Sequence, residues 1–269
     1  MANLSITNRC NRHCDYCFAR ESFQPESIGV TEMSWNTFEQ SLNFLIRSNV
    51  RDVSVLGGEP TMHPEFIHFV HRLLGSGMRV LVFTGGLVNV RVLDLLEKID
   101  DDRLSVLVNV VPPTINNFSL TKRQATLYRR LGSRIVLGIN IASPAVELGF
   151  LLELINQYGL NPYVRLGLAH PVLGGTNCYL HPRHYPEVGR RVTAFGLEAL
   201  NRGIRIGLDC GWVPCLFPEG GLSALGMTPK DVGSRCNPIL DILPNGQVIA
   251  CYPLTSHSRE FIPIDQDDS

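Results

Sequence analysis

The sequence predicts an α/β protein in which a parallel sheet of βα units curls into an open or closed barrel over residues 1–208, with a small cysteine-bearing extension over 209–269. Three observations predict it. Short apolar runs alternate with longer stretches of helical periodicity, the pattern of buried parallel strands covered by helices. Turns rich in Gly or Cys follow the early runs, at the strand ends where such sheets carry ligands. After residue 209 the alternation stops, and Pro, Gly and Cys recur.

The first run, Leu4-Ser5-Ile6-Thr7, leads into Cys10-Asn11-Arg12-His13-Cys14-Asp15-Tyr16-Cys17. Ser34 can cap a helix bearing Trp35, Phe38, Leu42, Leu45 and Ile46 on one face. Strand Val53–Leu56 runs into Gly57-Gly58-Glu59-Pro60. A helix then opens near Pro64, carries Phe66, Phe69, Val70, Leu73 and Leu74, and ends at Gly75 and Gly77. Strand Val80–Phe83 leads to Thr84-Gly85-Gly86 and a helix around Val90–Ile99. Strand Leu104–Val111 leads past Pro112-Pro113 to a helix near Thr121–Leu131. Strand Ile135–Ile141 leads to a helix opened by Ser143-Pro144 and closed by Gly159. Strand Val164–Leu168 leads through a Gly/Pro-rich loop to a helix near Tyr185–Asn201, and Ile204–Leu208 is the last strand. Six βα units precede it, and right-handed crossovers of that number build a barrel. In the extension one hairpin is visible: Ile239–Leu243, an Asn-Gly turn signal within Pro244-Asn245-Gly246, then Val248–Ala250. Ile264–Ser269 is polar and acidic, as a frayed end is.

Composition limits the functions open to the chain. Of 269 residues, 44% are apolar, ample for a core. The formal net charge is −1 and no long basic run occurs, which disfavours a nucleic-acid partner. No apolar stretch is long enough to span a membrane as a helix. The start lacks the basic and apolar segments of a secretory signal. The expected location is cytoplasmic, with no membrane partner.

Eight cysteines stand at 10, 14, 17, 178, 210, 215, 236 and 251. A chain able to build a core has little need of a disulfide framework, so clustered cysteines point to metal or cluster ligands. Three thiolates from one tight loop can hold three irons of a cubane and leave the fourth open, whereas an electron carrier closes all four. Zinc is the rival, although structural zinc sites draw ligand pairs from two segments. Three merely buried cysteines fit poorly with the Asn, Arg, His and Asp between them. Cys178 reads as a packed thiol. His63, His68 and His71 read as a solvated face, and His181 and His184 as weak substrate-contact candidates.

Cys10-x3-Cys14-x2-Cys17 with aromatic Tyr16, opening a βα barrel and followed by Gly57-Gly58-Glu59-Pro60 after the second strand, resembles the radical S-adenosylmethionine (radical SAM) enzymes. The resemblance covers about residues 1–208 and implies a partial (β/α)6, TIM-barrel-like fold. It implies a 4Fe–4S cluster on Cys10, Cys14 and Cys17, with S-adenosylmethionine chelating the open iron. One electron then cleaves the sulfonium to methionine and a 5′-deoxyadenosyl radical, which abstracts a hydrogen atom from the substrate. An electron donor such as flavodoxin or ferredoxin is implied. The cofactor does the hard chemistry, and the protein orients and shields it.

By the same resemblance, Gly57, Gly58, Glu59 and Pro60 receive the methionine ammonium and Tyr16 lies against the adenine. The glycines would let backbone approach a ligand closely. Thr84 ends strand three where the family often has Thr-Asn-Gly; here Thr-Gly-Gly lacks the Asn side chain. Asn109, Asn140 and Arg165 interrupt strands four to six, and a polar group buried in a strand must be paired or face a wet cavity. In the family such positions contact the ribose and the methionine carboxylate.

Cys236-x9-Gly246-x4-Cys251 resembles the hairpin extension (SPASM or twitch type) that binds an auxiliary iron–sulfur cluster in this family. Cys210 and Cys215 could complete a four-cysteine site, for which zinc remains an alternative. No cysteine follows Cys251, so the shorter, single-cluster form is expected. Family members with such extensions mostly modify peptides, and some oxidise small molecules. With strand one near Leu4, a leader-binding domain in front of it is not expected. The expected substrate is a peptide, with a small-molecule dehydrogenation as alternative. A non-catalytic cysteine-based metal or cluster module is the third reading, and the Gly-Gly-Glu-Pro turn argues against it.

Overall fold

The computed structural model describes residues 1–19, 30–111, 120–209, 211–232 and 239–251, and the backbone of 262–263. Six βα units alternate as expected: β1 (Ala2–Ser5), α1 (Trp35–Arg47), β2 (Asp52–Leu56), α2 (Phe66–Gly75), β3 (Arg79–Thr84), α3 (Val90–Glu97), β4 (Leu104–Val110), α4 (Lys122–Leu131), β5 (Ile135–Ile141), α5 (Gly149–Tyr158), β6 (Tyr163–Leu168) and α6 (Tyr185–Asn201), then β7 (Arg205–Leu208). A one-turn helix α7 (Gly221–Ala224) and strands β8 (Leu240–Ile242), β9 (Gln247–Ile249) and β10 (Ile262–Pro263) follow.

One sheet holds every described strand, in the order β10-β9-β8-β1-β2-β3-β4-β5-β6-β7. β1 to β7 lie side by side in chain order and in parallel. That order follows from right-handed crossovers that each advance one strand. The edges β7 and β10 are not paired to each other among the described strands, so the barrel is partial. Alternate strand positions such as Val53, Val55, Val82, Val108, Leu137, Ile139 and Val164 join Phe38, Phe69, Leu73, Tyr128 and Leu152 of the helices in one buried layer. The intervening positions face the other side, and Asn109, Asn140 and Arg165 are among them.

Local chemistry explains the helix starts. Ser34 accepts from the Thr37 amide, and Thr121 with Gln124 forms a reciprocal capping box. Three expectations differ. Ser143-Pro144 does not open α5: Ser143 Oγ accepts from the Ala145 amide in a turn, and the helix begins at Gly149. On α1, Trp35 and Ile46 are exposed while Ser41 is buried, because the buried stripe follows Phe38, Leu42 and Leu45. His63 is not on a solvated face. It is 4% exposed, its Nδ1 accepts from the Glu65 amide at 3.0 Å, and its Nε2 therefore donates to the Met33 carbonyl at 3.0 Å.

The segment after residue 209 adds to the sheet. β8 pairs in parallel with β1, and β9 turns back antiparallel to β8. The turn is not of the Asn-Gly primed type. The Gly246 amide donates to the Leu243 carbonyl, Gly246 has φ +83°, and Asn245 keeps a negative φ. These features describe a type I turn over Pro244-Asn245 followed by a left-handed glycine. Ile264–Ser269 lies outside the described residues.

Candidate active site

The three turns that follow β1, β2 and β3 meet at one end of the sheet. β1 runs into Cys10, Cys14 and Cys17, none of them in a disulfide. The Cys17 amide closes the loop on the Cys14 carbonyl at 3.0 Å, and the Arg12 amide donates to Cys10 Sγ at 3.4 Å. Burial pushes the Cys10 thiol up, against the pull of that amide, with Glu59, Cys14 and Cys17 adding to the rise. The three sulfurs and the Glu59 carboxylate thus share one field. Among the described residues, no three His, Cys, Asp or Glu side chains converge on a single-ion position. In a cubane each thiolate would meet a different iron.

Gly57 and Gly58 are pressed against the stem of that loop. A Cβ on Gly57 would stand 2.3 Å from the Thr7 carbonyl oxygen, and one on Gly58 would stand 2.3 Å from that of Arg9. The Gly58 amide donates to Thr7 O and the Glu59 amide to Arg9 O, each at 2.7 Å. The glycines are therefore required first by the chain's own backbone.

Glu59 is 1% exposed. Its carboxylate accepts from Thr61 Oγ1 at 2.5 Å, the Thr61 amide at 3.3 Å, Thr84 Oγ1 at 2.8 and 2.9 Å, and the Gly85 amide at 2.8 Å. Protein donors fill it, and it braces the second turn against the third. Thr84 shares that work by accepting from the Gly86 amide at 3.0 Å. Pro60 is buried and starts a 3-10 turn, Pro60–Met62.

Asn109, Asn140 and Arg165 do come together. Arg165 Nη1 donates to Asn140 Oδ1 at 3.0 Å and lies 3.5 Å from Asn109 Oδ1. Its guanidinium lies 5.8 Å from the centre of the Phe83 ring. Arg165 Nη2 is ion-paired with Asp209, a residue that sequence reasoning passed over. The register explains the fit: Asn109, Gly138, Arg165 and Gly207 are lateral neighbours across β4 to β7, and Asn140 neighbours Gly167. Each large polar side chain is flanked by glycine. A Cβ on Gly138 would stand 2.8 Å from Leu107 Cδ2 and 2.9 Å from Asn109 Oδ1, and one on Gly167 would stand 2.5 Å from Asn140 Oδ1. Polar residues alternating with glycines in otherwise apolar strands were the available signal.

The Tyr16 phenol feels both Cys14 of the cysteine loop and the Asn140 side chain of this polar row. Burial first, then Cys14, pushes its phenol well above the usual tyrosine range. The stretch after β6 packs on the same loop, with the Cys178 amide donating to the Asp15 carbonyl at 2.8 Å. Cys178 itself is exposed, not packed. Asn177 holds this stretch together, bonding the His170 carbonyl at 2.7 Å and the Val172 amide at 2.9 Å. His181 and His184 are engaged locally with Arg183. Of the remaining cysteines, Cys215 is exposed and Cys251 half-buried, while Cys210 and Cys236 lie outside the described residues. No helix of the described residues is long and apolar enough to cross a membrane.

Comparison with known proteins agrees with this geometry. Residues 4–117, which hold all three turns, match the Radical SAM superfamily. Molybdenum cofactor biosynthesis protein 1 of Drosophila melanogaster is 28% identical over 152 residues, 55% of this chain and 24% of that protein. The GTP 3′,8-cyclase of Acidothermus cellulolyticus is 34% identical over 73 residues, 26% of this chain and 20% of that one. The matches thus span about a quarter of those proteins. Among solved structures, Streptococcus suis SuiB bound to precursor peptide SuiA superposes with a TM-score of 0.73 at 14% identity, covering 99% of this chain and 62% of that chain. Native anSMEcpe with bound AdoMet superposes at 0.65 and 17% identity, covering 94% and 74%. The thiol loop, the glycine turn and strands β2 to β4 of the partial barrel all fall within the segment that matches the Radical SAM superfamily.

Proposed function

We propose that Cys10, Cys14 and Cys17 hold a 4Fe–4S cluster with one open iron, and that S-adenosylmethionine binds there. Three cysteines on one loop, whose stem is tied by backbone hydrogen bonds to Gly58 and Glu59, are the observation that carries this reading. Held there, the pair would supply reductive cleavage of the C5′–S bond and hydrogen-atom abstraction from the substrate, given one electron from a donor such as flavodoxin or ferredoxin. The chain's own part is to orient and shield. The backbone of Gly57–Pro60 receives the ammonium, because the Glu59 carboxylate is filled by Thr61, Thr84 and Gly85. Tyr16, Asn109, Asn140 and Arg165 line the polar row beside the loop.

The substrate reading is a peptide. Cys236-x9-Gly246-x4-Cys251 supports it, as does the fold shared with SuiB, a protein bound to a precursor peptide. Cys210, Cys215, Cys236 and Cys251 would hold an auxiliary 4Fe–4S cluster. The GTP 3′,8-cyclase among the relatives favours a second reading, a small-molecule or nucleotide substrate.

Reduction of the reconstituted protein with S-adenosylmethionine tests the function: it releases 5′-deoxyadenosine, and the Cys14→Ala protein does not. Release by Cys14→Ala contradicts the assignment. Deuterium passing from a labelled peptide into 5′-deoxyadenosine separates the two substrate readings.

A further inference from the structure

We propose that Arg12, inside the cysteine loop, is the residue that receives the carboxylate of S-adenosylmethionine. The inference rests on the function proposed above. Arg12 lies across the third turn: a Cβ on Gly85 would stand 2.7 Å from its Cδ and 2.7 Å from its Nε. Gly85 is thus the space that Arg12 occupies, and the Thr-Gly-Gly turn exchanges a side chain at position 85 for a guanidinium reaching in from the cysteine loop. Arg12 Nε is buried and has no hydrogen-bond acceptor among the described residues. A buried donor on a charged group is costly to leave unpaired, so the site asks for an anion.

The described residues supply none to it. The Glu59 carboxylate is filled by Thr61, Thr84 and Gly85. The other arginines at this end are paired: Arg165 with Asp209, and Arg9 with Glu32 at 2.5 Å and with the Met62 carbonyl at 2.7 Å. Arg12 has no ion pair among the described residues. Its charge pulls down on the phenols of both Tyr16, in the cysteine loop, and Tyr128, on α4. S-adenosylmethionine carries one anionic group, its carboxylate. A planar guanidinium fork matches a carboxylate in shape and charge. Arg165, held by its own carboxylate partner, is a positioning group of the polar row and not the receptor.

The test compares binding of S-adenosylmethionine and of decarboxylated S-adenosylmethionine to anaerobically reconstituted protein by equilibrium dialysis. Arg12→Met weakens S-adenosylmethionine by about tenfold or more and leaves the decarboxylated ligand within about twofold. Arg12→Lys, which keeps the charge, recovers part of the loss. Without ligand, Arg12→Met melts no lower than the wild type, because an unpaired charge has been removed. Equal loss for both ligands, or loss for Arg165→Met and not for Arg12→Met, overturns the assignment. A wild-type protein that holds its irons yet binds neither ligand overturns the proposed function itself, a different result from either of these.

Discussion

The Gly58 amide donates to the Thr7 carbonyl at 2.7 Å, and a Cβ at Gly58 would stand 2.3 Å from the Arg9 carbonyl oxygen. The second turn is seated on the stem of the cysteine loop. The atoms such a Cβ would meet, Arg9 O, Arg9 C and Asn8 O, are all backbone, so Gly58→Ala has no flexible neighbour to displace. We expect a loss of about 1–3 kcal/mol in stability and a clear fall in iron per chain after reconstitution. Full iron content in Gly58→Ala would show that the two turns are independent.

Thr84 gives the buried Glu59 carboxylate a donor and the Gly86 amide an acceptor. Thr84→Val removes both at once while keeping the shape. Hydrogen bonds to charged groups contribute roughly 1.5–3 kcal/mol, and a loss of that size in urea denaturation is the expected outcome. Thr84→Ser, which keeps the hydroxyl, should lose much less. Equal losses would assign the effect to the missing methyl group.

Asp241 on β8 is 7% exposed and takes a hydrogen bond from Asn3 of β1 at 2.8 Å. Burial pushes its carboxyl up to about 6, against the Asn3 bond, from an ordinary 3.8. The folded state therefore holds the proton more tightly than the unfolded chain. Stability from this group is present below pH about 4 and is lost as pH rises to about 6. Asp241→Asn should be more stable than the wild type at pH 7, by roughly 2–3 kcal/mol, with the gain vanishing near pH 4. A pH-independent difference would contradict this.

His63 titrates with the opposite sense. Burial pushes its imidazole down, against the Met33 carbonyl, and the neutral ring uses both nitrogens. Stability from His63 is present above the ordinary value of 6.5 and is lost as pH falls below it. A His63→Gln protein should show a flatter stability profile between pH about 7 and 5. Parallel profiles would assign the acid loss to other groups.

The barrel was legible because each buried strand is a short apolar run and each helix has its own cap and stripe. β5 and α6 match the sequence reading at both ends. The ends of the strands were legible too, since Cys, Gly and polar residues collect there. What was hidden depends on register. Gly138, Gly167 and Gly207 look like weak strand positions until Asn109, Asn140 and Arg165 are laid beside them. The Arg12–Gly85 contact joins two turns far apart in sequence, and nothing local to either announces it. Gly57 and Gly58 were found, but their first task, fitting the Thr7–Arg9 backbone, appears only once β1 and β2 are paired.

The central claim is a cluster on Cys10, Cys14 and Cys17 with one iron open to S-adenosylmethionine. Electron paramagnetic resonance of the reduced, reconstituted protein tests it most directly. The account predicts that adding S-adenosylmethionine shifts the cluster signal in the wild type, and that this responsive signal is missing from Cys14→Ala. A cluster signal unchanged by S-adenosylmethionine in the wild type would contradict it.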